Sequence, residues 1–185
     1  MFEIGAKTEF WERRARLNLA AYTASYKDIQ LDFAATFQQF KDGVLLTQTR
    51  TTLETHNAPG KGRVKGVEAD FTLQPIEPLT IGASYAYSDV RIPDTSNPFP
   101  QANGVIITTP IPIYQVYTPS HAASGSIDLV LPVADLKLRL HADIAYDSGF
   151  YANATDPGFD TRTGQVTLKQ PKGDESIIVN TRATL

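Results

Sequence analysis

The amino-acid sequence predicts an all-β fold in which about seven antiparallel strands run up and down beside one another. Three features lead to this prediction: apolar residues at every second position, short turns, and long connections that alternate with those turns. Residues 136–146 show the alternation most clearly. Their leucines share one face of a strand, while Lys137, Arg139 and Asp143 lie on the opposite face.

The seven predicted strands share this alternation and are bounded by turn residues. They cover residues 2–10, 17–28, 63–73, 79–88, 121–131, 136–146 and 177–185. The first strand sets Phe2 and Ile4 against Glu3, and the third sets Val67 against Glu68. The fourth to seventh strands repeat the pattern with apolar sets that begin at Leu79, Gly125, Leu136 and Ile177. The second strand begins in the same way, but its alternation is lost near Ala20 and Ala21.

A helix is the alternative to a strand for two of these segments. Residues 9–22 contain helix-favouring residues, with Glu9 and Arg13 at i,i+4 spacing, but a helix there has no wide apolar stripe. In residues 136–146, a helix leaves Leu138 on the far side from the other leucines. Strands therefore account for more of the residues in both segments.

The lengths of the connections favour a transmembrane β-barrel segment over a compact soluble domain. The connections after strands one, three and five are about four residues long, as in the predicted turn at residues 75–78. Those after strands two, four and six are each roughly thirty residues. Three structureless loops of that length are unusual in a soluble domain, whereas outer-membrane barrels alternate short periplasmic turns with long extracellular loops.

The positions of several aromatic residues fit the two interfaces of a membrane. Tyr85, Tyr87 and Tyr146 lie at the long-loop ends of their strands, and Phe10 and Trp11 lie at a short turn. Tyrosine and tryptophan side chains commonly form girdles at the two edges of a membrane-spanning band.

Composition excludes several classes of function. A net charge of −3 gives no reason to expect a nucleic-acid partner. The absence of cysteine excludes disulfides and thiolate metal sites. No apolar run is long enough for a membrane-spanning helix. Met1 is followed by residues without the basic and apolar regions of an export signal, so we expect none here.

The side chains that are candidates for a functional site are polar residues on the strands. If the apolar face contacts lipid, Glu68, Asp70, Lys137, Arg139 and Asp143 face the interior, or lumen, of the barrel. We expect these charges to be solvated or paired across strands, or to contact a domain inside the barrel, rather than to catalyse a reaction.

No catalytic residue, bound cofactor or metal site is predicted. His56, His121 and His141 are too scattered in sequence to indicate a metal site. The serines at residues 124–126 lack the surroundings of a nucleophile elbow. Five aromatic residues in the long loops are candidates either for ligand contact or for packing: Tyr114, Tyr117, Phe150, Tyr151 and Phe159.

Several segments resemble one family of barrels. Residues 62–71 contain a Gly-x-x-x-Gly-x-Glu run, and residues 78–89 contain Pro-Leu followed by Ser-Tyr-Ala-Tyr-Ser-Asp. This hairpin, together with residues 3–7 and 18–30, resembles the C-terminal half of the TonB-dependent receptor barrel. The resemblance implies energy-coupled uptake of a scarce bulky nutrient, such as a ferric siderophore, across the outer membrane of a Gram-negative cell.

The resemblance also implies partners. Such receptors have 22 strands, closed around a plug domain, and we expect residues 1–185 to be a partial barrel domain that lacks the plug and the remaining strands. Outer-membrane lipid and an extracellular ligand would be the other partners. The alternative is a soluble all-β ligand-binding module, either a sandwich or a lipocalin-like barrel. An enzyme is the third and least supported interpretation.

Overall fold

The computed structural model describes residues 1–100, 104–157, 159–160 and 165–185. Within these ranges the chain forms strands and contains no helix. The strands are β1 (Phe2–Phe10), β2 (Ala15–Lys27), β3 (Gln30–Lys41), β4 (Val44–Asn57), β5 (Lys61–Ile76), β6 (Leu79–Arg91), β7 (His121–Val133), β8 (Leu136–Asp147), β9 (Phe159–Asp160), β10 (Gln165–Val166) and β11 (Ser176–Thr184). Among the described residues, no helix has the length and hydrophobicity needed to cross a bilayer.

Seven of the strands form one antiparallel sheet. Their order across the sheet is β1-β2-β5-β6-β7-β8-β11, which is also their order in the chain. The remaining described strands form two separate hairpins, β3–β4 and β9–β10. The large sheet is open, with β1 and β11 as its two edges. All seven predicted strands lie within this sheet.

The register of the sheet brings most of the apolar residues of the seven strands onto one face. Ile4 pairs with Ala21, Ala21 pairs with Val67, and Val67 pairs with Tyr87. Further along the sheet, Ile127 of β7 pairs with Ala142 of β8. Because directly paired residues in neighbouring strands point to the same side, these apolar sets form one continuous surface. We call it the apolar face and the other side the polar face.

The connections between neighbouring strands of this sheet differ in length at its two ends. At one end, β1–β2, β5–β6 and β7–β8 are joined by four, two and two residues. At the other end, residues 28–60, 92–120 and 148–175 connect β2 to β5, β6 to β7, and β8 to β11. We call these the short-turn end and the long-connection end.

The interruption of the sequence alternation near Ala20 and Ala21 does not interrupt β2. The pairing of β2 with both of its neighbours runs without a shift from Ala15 onward. Leu19 and Ala21 therefore stay on the apolar face, while Tyr22 lies on the polar face. Tyr22 is a large aromatic residue on the polar face, so the sequence pattern is interrupted although the strand is not.

The predicted turn at residues 75–78 is shorter than expected. Pro75 and Ile76 belong to β5, and the pairing shifts between Leu73 and Ile76 before the chain turns at Glu77 and Pro78. A proline lacks the N–H group that a regular ladder requires, and it is tolerated where the ladder is already interrupted by a bulge.

The first long connection is not structureless, which corrects the expectation for residues 29–62. It contains the hairpin β3–β4, which follows β2 and precedes β5 in the chain. A hydrogen bond from Ala58 N to Ile29 O (2.7 Å) joins the two short segments that connect the hairpin to β2 and β5. The hairpin turns at Asp42 and Gly43, whose φ angles are 53° and 79°. Positive φ at both central residues is the requirement of a tight type I′ hairpin turn, and Asp-Gly satisfies it.

Few side chains of the described chain are buried. The buried apolar residues are small or belong to the first long connection: Ala15, Ala24, Phe33, Ala35 and Ala58. On the apolar face, by contrast, Ile4, Ile127 and Val179 are 64%, 50% and 63% exposed. The described sheet thus has no hydrophobic core on its apolar side.

Candidate functional site: the polar face and the loops at one end

The five side chains predicted to face a lumen all lie on the polar face. The register pairs Glu68 with Ala86 and Asp70 with Ser84, and it pairs Asp143 with Ser126. Lys137 and Arg139 occupy the same side of β8, nearer the short-turn end. The prediction that this face lines a lumen stays a prediction.

A hydrogen-bonded group on the polar face is centred on His141. Its Nδ1 lies 2.7 Å from Asp128 Oδ1, and its Nε2 lies 3.1 Å from Asp143 Oδ1. Asn180 of β11 donates through Nδ2 to the second oxygen of Asp143 at 2.9 Å. Three neighbouring strands, β7, β8 and β11, are therefore tied together by polar side chains on one face.

The remaining predicted acids border an open hollow of about 410 Å³ on the sheet. Glu68 and Asp70 lie on one side of it, and Asp147 and Ser176 lie on the other. Between them the hydroxyl oxygens of Ser84 and Ser124 are 2.7 Å apart. Ser176 Oγ in turn donates to Asp147 Oδ2. The lining offers hydroxyls and carboxylates to water or to a polar partner.

Within the described ranges, no three or more His, Asp or Glu side chains come together as possible metal ligands. His121, on the other side of the sheet, lies with its Nδ1 2.8 Å from Tyr85 Oη. Its ring centroid is 5.0 Å from that of Tyr87. These three rings form an aromatic cluster at the edge of the apolar face.

The second and third long connections pack against each other through aromatic rings. Tyr114 and Tyr151 are stacked with ring centroids 4.4 Å apart. The rings of Tyr117 and Phe150 are 5.6 Å apart. Backbone hydrogen bonds from Tyr114 N to Ala154 O (2.7 Å) and from Tyr117 N to Tyr151 O (3.0 Å) join the same segments. Four of the five predicted loop aromatics thus pack together, and the side chain of Phe159 lies outside the described part of the structure.

A buried carboxylate holds this loop pair in place. Asp156 is 6% exposed, and its Oδ1 accepts hydrogen bonds from Tyr114 Oη (3.0 Å) and from the backbone N–H of Gln170 (2.6 Å). Desolvation, followed by the hydrogen bond to Asp156, raises the pKa of Tyr114 above its usual value of 10.0. The tyrosine is therefore neutral, and able to donate, throughout the physiological pH range.

The sequence did not predict every member of the His141 group or of the hydrogen bonds around Asp156. Asp128 and Asn180 had the parity of the polar face, but their contacts with His141 and Asp143 depend on the register between three strands. Asp156 and Gln170 carried no signal, because they lie in irregular segments without periodicity. Their burial follows from the folding of one long connection onto another.

Of the comparisons with known proteins, the one with protein families gives a match. The chain matches neither a curated protein nor a solved structure. The model of the family described as "TonB dependent receptor-like, beta-barrel" matches residues 2–172. This range contains six of the seven strands of the large sheet and most of the three long connections. The chain therefore belongs to the TonB-dependent receptor-like β-barrel family.

Proposed function

We propose that this chain forms part of the wall of an outer-membrane receptor that takes up a scarce, bulky nutrient such as a ferric siderophore. The family suggests outer-membrane nutrient uptake, and it is a family of receptors and transporters rather than of enzymes. Its members lie in the outer membrane of Gram-negative bacteria, and we assign the same location to this chain.

The observation that carries the proposal is the continuous and exposed apolar face of the seven-stranded sheet. In water such a surface is far larger than soluble monomers usually expose. In a bilayer it is the surface that contacts lipid. Ten steps along β8, from Leu136 to Tyr146, measure roughly 34 Å, or about 26 Å across the membrane at a tilt of about 40°. This agrees with the apolar band of about 25 Å that outer-membrane barrels present.

The polar face then lines the inside of the barrel. We propose that Glu68, Asp70, Lys137, Arg139 and Asp143 face a lumen that holds water and a plug domain. The His141 group supports this assignment, because its members satisfy one another by hydrogen bonds without needing contact with solvent at every atom. The open hollow beside Glu68 and Asp70 leaves room for side chains of a plug.

The open edges support the need for further strands. β1 and β11 each expose a row of backbone groups, and each unsatisfied group in hydrocarbon costs several kcal/mol. We propose that additional strands pair with both edges to close the barrel.

The three long connections are the proposed extracellular side. The packing of Tyr114 on Tyr151 and the Asp156 hydrogen bonds give two of them a defined shape, which is what a ligand-binding surface requires. A soluble sandwich or lipocalin-like module is the second candidate, and it needs a second sheet or closed barrel to cover the apolar face.

Lipid contact at the apolar face can be measured at two adjacent residues of β7. The chain contains no cysteine, so Ile127→Cys and Ser126→Cys can each be labelled with a single bimane fluorophore. The labelled full chain is studied in mixed micelles of a nonionic detergent and phosphatidylcholine, with or without bromine atoms on the acyl chains. We expect brominated lipid to quench the label at position 127 severalfold more than the label at position 126.

The two adjacent positions are matched in strand and depth and differ in the face on which they lie. Equal quenching at both positions, or none at position 127, would contradict the lipid-facing assignment and favour the soluble module.

A further inference from the structure

Near the long-connection end of β5 and β6, the apolar face carries charged residues and the polar face carries apolar ones. Val67 lies on the apolar face, and two residues further along Lys65 and its partner Asp89 lie on the same side. On the opposite side, Val64 pairs with Val90. The apolar band therefore ends between Val67 and Lys65, and charged residues continue the same face beyond it.

Five cations on three neighbouring strands make up this continuation. We call them the outward basic cluster: Lys27, Lys61, Arg63, Lys65 and Arg91. All five are exposed. Asp89 lies 3.4 Å from Lys65 Nζ and 3.3 Å from Arg91 Nε. Even when Asp28, which follows β2, is counted with Asp89, five cations stand against two carboxylates.

The pairing within the cluster brings like charges together. Lys27 is directly opposite Lys61, and Arg63 is directly opposite Arg91. Like charges at directly paired positions destabilise a sheet. An anion bound beside both pairs from outside the described chain would offset this repulsion.

We propose that the outward basic cluster binds the phosphate groups of lipids in the outer leaflet of the membrane. The inference rests on the proposed function, because it requires the apolar face to lie in the bilayer. In that arrangement the cluster is at the level of the lipid headgroups, on the same face as the aromatic cluster of Tyr85, Tyr87 and His121. Long Lys and Arg side chains extend readily from an apolar surface to such headgroups.

Removal of three cations that do not pair with Asp89 provides the test. In K27Q/K61Q/R63Q, the contacts of Asp89 with Lys65 and Arg91 are preserved. The matched control, K7Q/R16Q/R182Q, removes the same charge from exposed residues of the polar face. Each full chain is equilibrated in nonionic micelles that contain phosphatidic acid or, as the lipid without phosphate, diacylglycerol. Lipid retained per chain after gel filtration is counted by mass spectrometry.

We expect the original chain and the control to retain phosphatidic acid in preference to diacylglycerol. Each cation near a lipid surface contributes about a fivefold preference for anionic lipid, so K27Q/K61Q/R63Q should lose about a hundredfold at low salt. Inorganic phosphate at the same concentration should not displace the lipid. Displacement would indicate a site for free anions and overturn the assignment to lipid.

Equal retention by K27Q/K61Q/R63Q and by the control would also overturn the inference. The far-UV circular dichroism of both variants, which should match that of the original chain, shows whether the sheet has formed. A chain that is β-rich and monodisperse without any detergent would contradict the proposed function itself. A micelle-bound chain that does not select phosphate would contradict the lipid inference alone.

Discussion

At the scale of single residues, Gly66 is the position where an aromatic ring lies directly against the backbone of the polar face. A Cβ atom at this position would lie 2.5 Å from Tyr22 Oη and 2.6 Å from Tyr22 Cζ, and it would also collide with the backbone oxygen of Tyr87. A side chain can rotate away, but the carbonyl of Tyr87 belongs to the ladder between β5 and β6. The absence of a side chain at residue 66 is therefore required by two neighbouring strands.

The substitution Gly66→Ala should lower the free energy of unfolding by about 1–3 kcal/mol, as overpacking usually does. Gly125→Ala is the matched control, because a Cβ there would meet Ile144 Cγ2 at 3.4 Å, an ordinary contact. We expect the control to change stability by less than about 1 kcal/mol. Denaturant unfolding of the micelle-bound chain, followed by far-UV circular dichroism, measures both. Equal losses in the two variants would show that Tyr22 and Tyr87 do not restrict position 66.

The side of the sheet on which a residue lies was easier to predict from the sequence than the residue that it contacts across strands. Parity alone placed Glu68 and Asp143 on the polar face, because side chains alternate strictly along a strand. Which side chains meet across strands depends on the register, and that is set by turn lengths and bulges such as the one between Leu73 and Ile76. The contacts of His141 could not be predicted for this reason.

At the scale of elements, the seven strands of the large sheet were predicted and the hairpin β3–β4 was not. Leu31, Phe33, Ala35 and Phe37 alternate along β3, so part of its signal was present in the sequence, whereas β4 mixes threonine and charged side chains on both faces. The Asp42-Gly43 dipeptide between the two strands was a second signal, because this pair of residues favours a tight hairpin turn. The small hairpin β9–β10, with two residues in each strand, carried no such signal.

A charge placed on one face of β7 distinguishes the environments of the two faces. Ile127 is the middle residue of this strand and is 50% exposed on the apolar face. In a bilayer, Ile127→Lys should destabilise the folded chain by roughly 2–4 kcal/mol, the cost of a lysine near the midplane of a barrel. Ser126→Lys, on the polar face, should cost less than about 1 kcal/mol. Unfolding in phosphatidylcholine vesicles gives both values.

The adjacent positions share strand and depth and lie on opposite faces, so a difference between the two variants reports the environments of the two faces. Similar values for Ile127→Lys and Ser126→Lys would mean that the apolar face does not contact hydrocarbon. A larger loss for Ser126→Lys would indicate that the polar face is the packed side, as in a soluble module.

At the scale of the whole molecule, the order of strands in the sheet follows directly from the chain. Neighbouring strands joined by short turns must pair with each other, and the strands on either side of each long connection also pair. The pattern of alternation therefore predicted the up-and-down arrangement. The conformation of the long connections was beyond prediction, because the Asp156 and Tyr114 contacts join segments with no periodicity.

The open edges of the seven-stranded sheet determine how the 185-residue chain should behave alone. Within the described residues, no strand pairs with the outer edges of β1 and β11, and no core covers the apolar face. The chain should therefore need detergent to stay dispersed, and it should lack the resistance to heat and sodium dodecyl sulfate of a closed barrel, because hydrocarbon does not satisfy an exposed edge. Gel filtration with and without nonionic detergent tests the first expectation, and the electrophoretic mobility of heated and unheated samples tests the second. A closed barrel of known stability, carried through the same steps, is the control. A monodisperse, β-rich chain without detergent would contradict the membrane assignment, whereas a heat-shifted band from the chain alone would show that the two edges find partners in copies of the chain itself.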